Sequence, residues 1–187
     1  SKGKDVKLRK EIAIAIKECM MHENLFGVLV SHGSSTVPRY IVDEINALGG
    51  NIQNAYGISI EELKAAIPCG IGKINVDTDI RLAVTRNMKE FFKNNPSKRD
   101  SASIGGVYQL LEEKKDQFDP RAFLPPIMDT VMYGTIKDDD TAALVEVIEK
   151  GVKEAIGTLI VEFGSFGKAP LVEQVSLEEM IERYKKM

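Results

Sequence analysis

Apolar residues recur at three- and four-residue steps near the start of the chain, at Leu8, Ile12, Ile16, Cys19 and Met20. This spacing is typical of an amphipathic helix. A short continuous apolar run follows at residues 26–30 and predicts a buried strand. The chain therefore begins with a predicted helix and a predicted strand.

A second helix and a second strand are predicted downstream. Pro38 opens the helix, and Gly49-Gly50 ends it. A polar loop at residues 51–59, a short helix at 60–66 and an apolar strand at 71–76 follow. Strands that alternate with helices in this way predict a parallel sheet.

The rest of the sequence predicts helices and no further strand. Helical patterns follow one another at residues 81–92, 107–113, 121–132 and 141–163. Ser176 and Glu179 form a capping-box signature at the start of a last helix.

Two strands cannot form a sheet with both faces covered, and a complete eight-stranded barrel needs about 250 residues. The predicted fold is therefore α/β, the C-terminal part of a TIM (β/α)8 barrel. It contains the last two strands and their helices, followed by a helical C-terminal extension. We divide the chain into a barrel segment at residues 1–92 and an extension at residues 93–187. We expect the extension to complete the barrel and to form a subunit interface.

Composition and charge argue against several classes of partner. The 187 residues carry a formal net charge of −3 and no basic run, which disfavours nucleic-acid binding. The sequence lacks the roughly 18 consecutive apolar residues of a membrane span, and residues 1–10 lack the apolar core of a signal peptide. Two cysteines are too few for a disulfide framework. We expect a cytoplasmic protein that binds neither nucleic acid nor membrane.

Polar residues follow both predicted strands at their C-terminal ends, where α/β proteins place their sites. A glycine lets the backbone approach a ligand closely, and hydroxyl groups beside free amides suit a phosphate. Carboxylates can bind sugar hydroxyls, and an asparagine can stabilise an anionic intermediate. The candidates are His32, Gly33, Ser34 and Ser35 after the first strand, and Asn75, Asp77, Thr78 and Asp79 after the second.

These candidates also have ordinary structural interpretations. His32 can hydrogen-bond within the core, and Thr78 or Asp79 can cap the next helix. A catalytic zinc usually takes three protein ligands. Besides His32, the chain offers only His22, at the end of the first helix, and two cysteines outside any CxxC motif. This chain alone therefore predicts no complete zinc site.

Several motifs, in the same order, resemble the C-terminal portion of the class II, zinc-dependent fructose-1,6-bisphosphate aldolases. They are HGSSTVP at 32–38, GGN at 49–51, YGISIEEL at 56–63, GIGKINVDTDIRLAVT at 70–85, FDPRAFL at 118–124, and FGSFGKA and SLEEMIERY near the end. Their number and order make the resemblance specific, and it covers most of the chain.

The resemblance implies an enzyme of glycolysis and gluconeogenesis with a TIM-barrel fold. The reaction would be the reversible cleavage of fructose 1,6-bisphosphate to dihydroxyacetone phosphate and glyceraldehyde 3-phosphate. The cofactor would be Zn²⁺, a Lewis acid at the carbonyl oxygen. His32 matches the last of three zinc-binding histidines, and Asn75 matches the asparagine beside the enediolate.

The resemblance also implies a set of substrate contacts. Gly33, Ser35 and Thr78 match contacts to the phosphate on the dihydroxyacetone side. Asp77 matches the aspartate that recognises a sugar hydroxyl and favours fructose over its tagatose epimer.

Arg81, Asp119 and Arg121 match the family's cluster around the other phosphate. On their own, Asp119 and Arg121 are typical of a helix start and a surface charge. In the family the last arginine reaches across from a neighbouring subunit, which implies a homodimer or a higher oligomer. Two segments, at about 97–117 and 134–141, look inserted relative to the family pattern.

The family's general acid/base aspartate and its other two zinc histidines are not present in this sequence. We therefore expect the chain alone to be inactive and to need the missing N-terminal barrel part as its partner. Two other functions stay open. One is a non-catalytic module that binds a phosphosugar or another subunit, and the other is a tagatose-bisphosphate aldolase, against which Asp77 speaks.

Overall fold

Two short parallel strands lie side by side in the computed structural model, which describes residues 7–186. Strand β1 (Leu29–Ser31) pairs with strand β2 (Ile71–Ile74), and the register is irregular just after Leu29. Gly72 is the additional residue there, and the Val28 side chain occupies the space that a Gly72 side chain would need. Because the strands are parallel, their C-terminal ends meet at one edge. Residues 1–6, which belong to the predicted barrel segment, lie outside the described residues.

Helices dominate the described part of the chain. They are α1 (Lys10–His22), α2 (Arg39–Ala47), α3 (Ile60–Ala66), α4 (Thr78–Asn94), α5 (Gly105–Glu113), α6 (Met128–Tyr133), α7 (Asp139–Glu162) and α8 (Leu177–Lys185). Short 3-10 turns lie at Ile67–Cys69, Pro96–Asp100, Pro120–Ala122, Pro125–Ile127 and Ala169–Leu171. A mostly helical chain with a two-stranded parallel sheet is consistent with part of a barrel.

Side-chain caps define the start of several helices. The Ser176 hydroxyl accepts a hydrogen bond from the Glu179 amide, which confirms the predicted cap of α8. Asp138 accepts from the amide of Thr141 in the same way at the start of α7. The Ser176 cap was predicted from the sequence, whereas the Asp138 cap was not, and α7 starts two residues before the predicted helix at 141–163.

Helix α4 is the centre of the packing. It lies along α7, and Gly151 of α7 sits at their crossing, where an added Cβ would come within 2.9 Å of the Val84 backbone. One apolar cluster joins α4 to α5 and α7, and a second joins α2 to α4 and α7. Since α4 begins directly after β2, this packing fixes the N-terminus of α4 beside the strand ends.

Three sequence predictions need correction. The apolar run at residues 26–30 is not a buried strand, because β1 covers only Leu29–Ser31 and Phe26 is 85% exposed. The helix predicted at residues 121–132 is wrong in its first part, because 3-10 turns occupy residues 120–122 and 125–127 and α6 starts only at Met128. Pro125 and Pro126 have no N–H to donate, and each restricts the residue before it. Helix α4 also begins three residues before the predicted start at Arg81. The prediction that no strand follows Asp79 is confirmed for the described residues.

Across residues 7–186, the longest and most apolar helical stretches fall short of what a membrane crossing requires.

Candidate functional site

An open pocket of about 570 Å³ lies at the C-terminal ends of β1 and β2. Its walls are formed by residues that directly follow the two strands. They are Gly33, Ser35, Ile74, Asn75, Val76, Asp77 and Thr78. The structure thus brings five of the predicted site residues to one pocket, although the two segments are some forty residues apart in the sequence.

His32 and Asn75 lie at the same edge and contact each other. The Asn75 Nδ2 atom is 2.8 Å from His32 Nδ1. The backbone reinforces this contact, because the Asn75 amide donates to the Ser31 carbonyl and the Ser34 amide donates to the Asn75 carbonyl. The strand pairing therefore continues past β1 and β2 and holds the imidazole beside the carboxamide.

Ser35 connects the first strand end to the N-terminus of α4. Its Oγ accepts hydrogen bonds from the backbone amides of Asp77, at 3.2 Å, and Thr78, at 3.0 Å. Gly33, two residues earlier, adopts a φ of +65°, a conformation that favours glycine. A hydroxyl, two amides and the positive end of a 17-residue helix therefore converge on the pocket, and together they favour a bound anion.

Asp79 holds the loop that follows Ser35, a role that the sequence did not predict. Its side chain is almost fully buried and accepts hydrogen bonds from the Thr36 amide, the Thr36 hydroxyl and the Val37 amide at 2.7–3.0 Å. The sequence analysis considered Asp79 as a cap of α4. Instead, α4 has no side-chain cap at its N-cap residue, and Asp79 fixes the loop that follows β1. A contact over more than forty residues has no local sequence signal.

Four charged side chains form a row beside the pocket. Arg81 donates to Asp77 from Nε at 2.8 Å and to Asp119 from a terminal nitrogen at 2.5 Å. Arg121 also donates to Asp119, from its side chain and from its backbone amide. Asp119 is thus shared by two guanidinium groups. Arg81 precedes the 97–117 stretch and Asp119 follows it, so two segments that are distant in the sequence meet here.

The charges of this row affect one another. The hydrogen bonds from Arg121, together with the charge of Arg81, hold the pKa of the Asp119 carboxyl below its ordinary range. Arg81 and Asp119 are about a quarter exposed, whereas the Arg121 side chain is 71% exposed. Arg121 is therefore the member of the row that is most free to meet a ligand or another chain.

The residues that the structure describes do not by themselves form a metal site. Among residues 7–186, no group of three or more His, Cys, Asp or Glu side chains is arranged to hold a metal ion. His32 fits the role of one ligand, because it lies at the strand edge with one ring nitrogen held by Asn75. A complete site needs further ligands from outside the described residues.

Comparison with known proteins places this chain in a family. A family model for class-II fructose-bisphosphate aldolase matches residues 1–168. The fructose-bisphosphate aldolase of Xanthobacter flavus is 32% identical over 156 residues, which are 83% of this chain and 33% of the relative. That of Giardia intestinalis is 33% identical over 180 residues, which are 96% of this chain and 43% of the relative.

The chain belongs to the class II fructose-bisphosphate aldolase family. It corresponds to the C-terminal portion of these proteins and spans about a third of the length of most of the curated relatives it matches. The resemblance expected from the sequence motifs is therefore confirmed, and the family implies a TIM barrel of which this chain is a part.

Proposed function

We propose that this chain supplies the substrate-binding edge of a class II aldolase that cleaves fructose 1,6-bisphosphate reversibly to dihydroxyacetone phosphate and glyceraldehyde 3-phosphate. The observation that carries the proposal is the meeting of two distant strand ends at one polar pocket beside the N-terminus of α4. In this proposal β1 and β2 are the last two strands of the barrel.

The pocket suits the phosphate on the dihydroxyacetone side. Gly33 leaves the backbone open to a ligand, and nothing lies within 4 Å of the position where a side chain would begin. Ser35 and Thr78 place hydroxyl and amide groups at the same point. A phosphate at this position would accept a hydrogen bond from the Ser35 hydroxyl, and its charge would lie at the positive end of α4.

Asn75 and Asp77 have the roles nearest to the reacting carbons. Asn75 would donate from its carboxamide to the oxygen of the enediolate, which carries negative charge after carbon–carbon cleavage. Asp77, whose side chain is 67% exposed toward solvent, would accept a hydrogen bond from a sugar hydroxyl and so distinguish fructose from its epimer. Arg81, Asp119 and Arg121 would bind the second phosphate, and Arg121 would do so in a neighbouring subunit of a homodimer or a higher oligomer.

His32 would hold Zn²⁺ together with two ligands that this chain does not supply. Bound zinc would act as a Lewis acid at the substrate carbonyl oxygen. Asn75 would then orient the imidazole through the contact between its Nδ2 atom and His32 Nδ1. The carboxamide would thus serve both the ligand and the substrate.

The missing N-terminal barrel part is the main partner that we propose. Helix α1 buries no residue against the described chain, and Ile12, Ile14 and Ile16 each leave more than two fifths of their surface exposed. Phe26 is 85% exposed, and Val28 and Val30 are also exposed. Exposed apolar side chains in this number favour a covering partner. The preceding strands and helices of a barrel would cover it.

The division of the chain and its cytoplasmic location are part of the same proposal. Residues 1–92 form the barrel segment, and residues 93–187 form the extension that completes the barrel and contributes to a subunit interface. The two free cysteines suit the reducing conditions of the cytoplasm.

Complementation of activity tests the proposal. The chain is mixed or co-expressed with the N-terminal two thirds of a related class II aldolase, and cleavage of fructose 1,6-bisphosphate is measured with and without zinc. We expect no activity from the chain alone and zinc-dependent activity from the mixture. Asn75→Ala should abolish that activity, whereas Asp129→Ala, at an exposed position away from the pocket, should leave it unchanged.

Three outcomes would contradict the proposal. Cleavage by the chain alone would show that the missing residues are not needed. A stable complex that binds the sugar phosphate but never cleaves it would favour the non-catalytic module, and faster cleavage of tagatose 1,6-bisphosphate would favour the epimer-specific enzyme.

A further inference from the structure

Helix α4 presents three polar side chains at four-residue spacing toward residues 111–119, the segment that ends at Asp119. Arg81 contacts Asp119 itself, and Thr85 donates from Oγ1 to the Phe118 carbonyl at 2.8 Å. Lys89 donates from Nζ to the Leu111 carbonyl at 3.2 Å. Residues at this spacing lie on one face of a helix. A single face of α4 therefore holds both ends of the segment.

We call the row of charges beside the pocket the charged cluster; its members are Asp77, Arg81, Asp119 and Arg121. Of the two buried polar side chains on this face of α4, Thr85 lies closer to the charged cluster. Its side chain is fully buried, and its acceptor is the carbonyl of the residue directly before Asp119. The peptide between Phe118 and Asp119 is rigid, so fixing this carbonyl also fixes the position from which the Asp119 side chain extends. Asp119 in turn lies between Arg81 and Arg121.

We infer that Thr85 is a positioning residue of the charged cluster: through the Phe118 carbonyl it holds Asp119 in contact with Arg81. Only the ligand of the charged cluster, the second phosphate, depends on the proposed function; the positioning itself does not. Without the Thr85 hydroxyl the carbonyl is left without its donor, and the loop moves to recover one. Arg81 then loses Asp119, while the contact of Arg121 with Asp119, which is local in sequence, persists.

The second phosphate makes this coupling important for the proposed enzyme. Arg81 extends from α4 next to the pocket, whereas Arg121 lies on a turn that packs on α4 through Phe118 and Asp119. Loss of the Thr85 contact would therefore change the distance between the two guanidinium groups. In the assembled enzyme, Thr85→Val should raise KM for the bisphosphate more than it lowers kcat, and Thr85→Ser should restore KM.

A cycle of pKa measurements on the chain itself tests the inference without substrate or zinc. The pKa of Asp119 is measured by NMR of its carboxyl carbon in the wild-type chain, in Arg81→Gln, in Thr85→Val and in the double variant. In the wild-type background, Arg81→Gln should raise this pKa, because a nearby positive charge is removed. In the Thr85→Val background, Arg81→Gln should change the pKa of Asp119 little. The charged groups facing Asp119 are Arg81, Arg121 and, through Arg81, Asp77.

Two further variants separate positioning from simple damage. Thr85→Ser keeps the hydroxyl and should restore the effect of Arg81→Gln. Thr130→Val is the matched control, because Thr130 is also buried and donates to a loop carbonyl, that of Thr135, away from the cluster. If Thr85→Val does not fold, Thr85→Ala takes its place in the cycle.

The inference is overturned if Arg81→Gln changes the Asp119 pKa equally with and without the Thr85 hydroxyl, or if it has no effect in the wild-type chain. Because neither result depends on binding or cleavage, failure here is distinct from failure of the proposed function.

Discussion

The buried carboxylate of Asp79 accepts a hydrogen bond from the backbone amide of Val37, with Oδ1 2.7 Å from the nitrogen. Val37 has a φ of +50°, which is unfavourable for a β-branched residue. The hydrogen bonds from Thr36 and Val37 offset this backbone cost. The shape of the loop after His32, Gly33 and Ser35 therefore depends on a residue of α4.

Replacing Asp79 by Asn should destabilise the chain by about 2 kcal/mol, because hydrogen bonds to a charged acceptor are replaced and one amide N–H then faces another donor. Urea unfolding of the variant measures the change in the free energy of unfolding. Asp129→Asn, at an exposed position, is the control and should change it by less than about 0.5 kcal/mol. Equal stability of both variants would show that Asp79 does not hold the loop.

Two glycines of α7 should respond oppositely to alanine. At Gly157 nothing lies within 4 Å of an added Cβ, so Gly157→Ala should stabilise the helix by roughly 0.5–1 kcal/mol. At Gly151 the added Cβ would press against the backbone of Ala83 and Val84, so Gly151→Ala should lower the melting temperature despite the better helix propensity. Thermal unfolding compares the two. A stabilised Gly151→Ala chain would mean that α4 and α7 are not packed as closely as described.

Asp119 should make stability depend on pH in acid. Its pKa in the folded chain lies below the ordinary value of 3.8, first because of the hydrogen bonds from Arg121. A carboxyl with a lowered folded pKa stabilises the folded state above its ordinary pKa, and the contribution is lost as the pH falls through the folded value. The difference in unfolding free energy between the wild-type chain and Asp119→Asn should therefore shrink from about pH 7 to about pH 3.

Arg121→Gln provides the matched variant for this experiment. It removes the main hydrogen-bond donor to Asp119 and should reduce the pH-dependent part of the difference. A difference between wild-type and Asp119→Asn chains that stays constant over the same pH range would rule out the proposed electrostatic role.

Asp77 should control the choice between epimeric substrates in the assembled enzyme. Asp77→Ala removes the acceptor for the sugar hydroxyl and should lower kcat/KM for fructose 1,6-bisphosphate by about 10-fold or more, since an unpaired polar contact in a site costs 1–3 kcal/mol. The activity on tagatose 1,6-bisphosphate should fall less, so the ratio of the two specificity constants should decrease. An unchanged ratio would remove Asp77 from the recognition of that hydroxyl.

The sequence predicted the elements that depend on local signals. The alternation of helix and strand, the end of α2 at Gly49-Gly50 and the Ser176 cap follow from periodicity and from local hydrogen bonds. The strand ends were also correctly expected to lie together, because parallel strands require it. The motifs correctly indicated the family before any comparison.

Contacts between distant segments could not be predicted in this way. The hydrogen bonds of Asp79 with Thr36 and Val37, and of Thr85 with the Phe118 carbonyl, depend on how α4 packs on its neighbours. Residues 125–127 form a 3-10 turn instead of the predicted helix, because two adjacent prolines supply no N–H for helical hydrogen bonds. The role of each site residue toward a substrate stays a prediction.

Titration of the isotopically labelled chain with dihydroxyacetone phosphate tests the central claim most directly. We expect amide shifts concentrated at Gly33, Ser35 and Thr78, greatly reduced in Ser35→Ala and absent with unphosphorylated dihydroxyacetone. Shifts that instead spread over lysines far from the strand ends, or that are the same in Ser35→Ala, would contradict a phosphate site at this pocket.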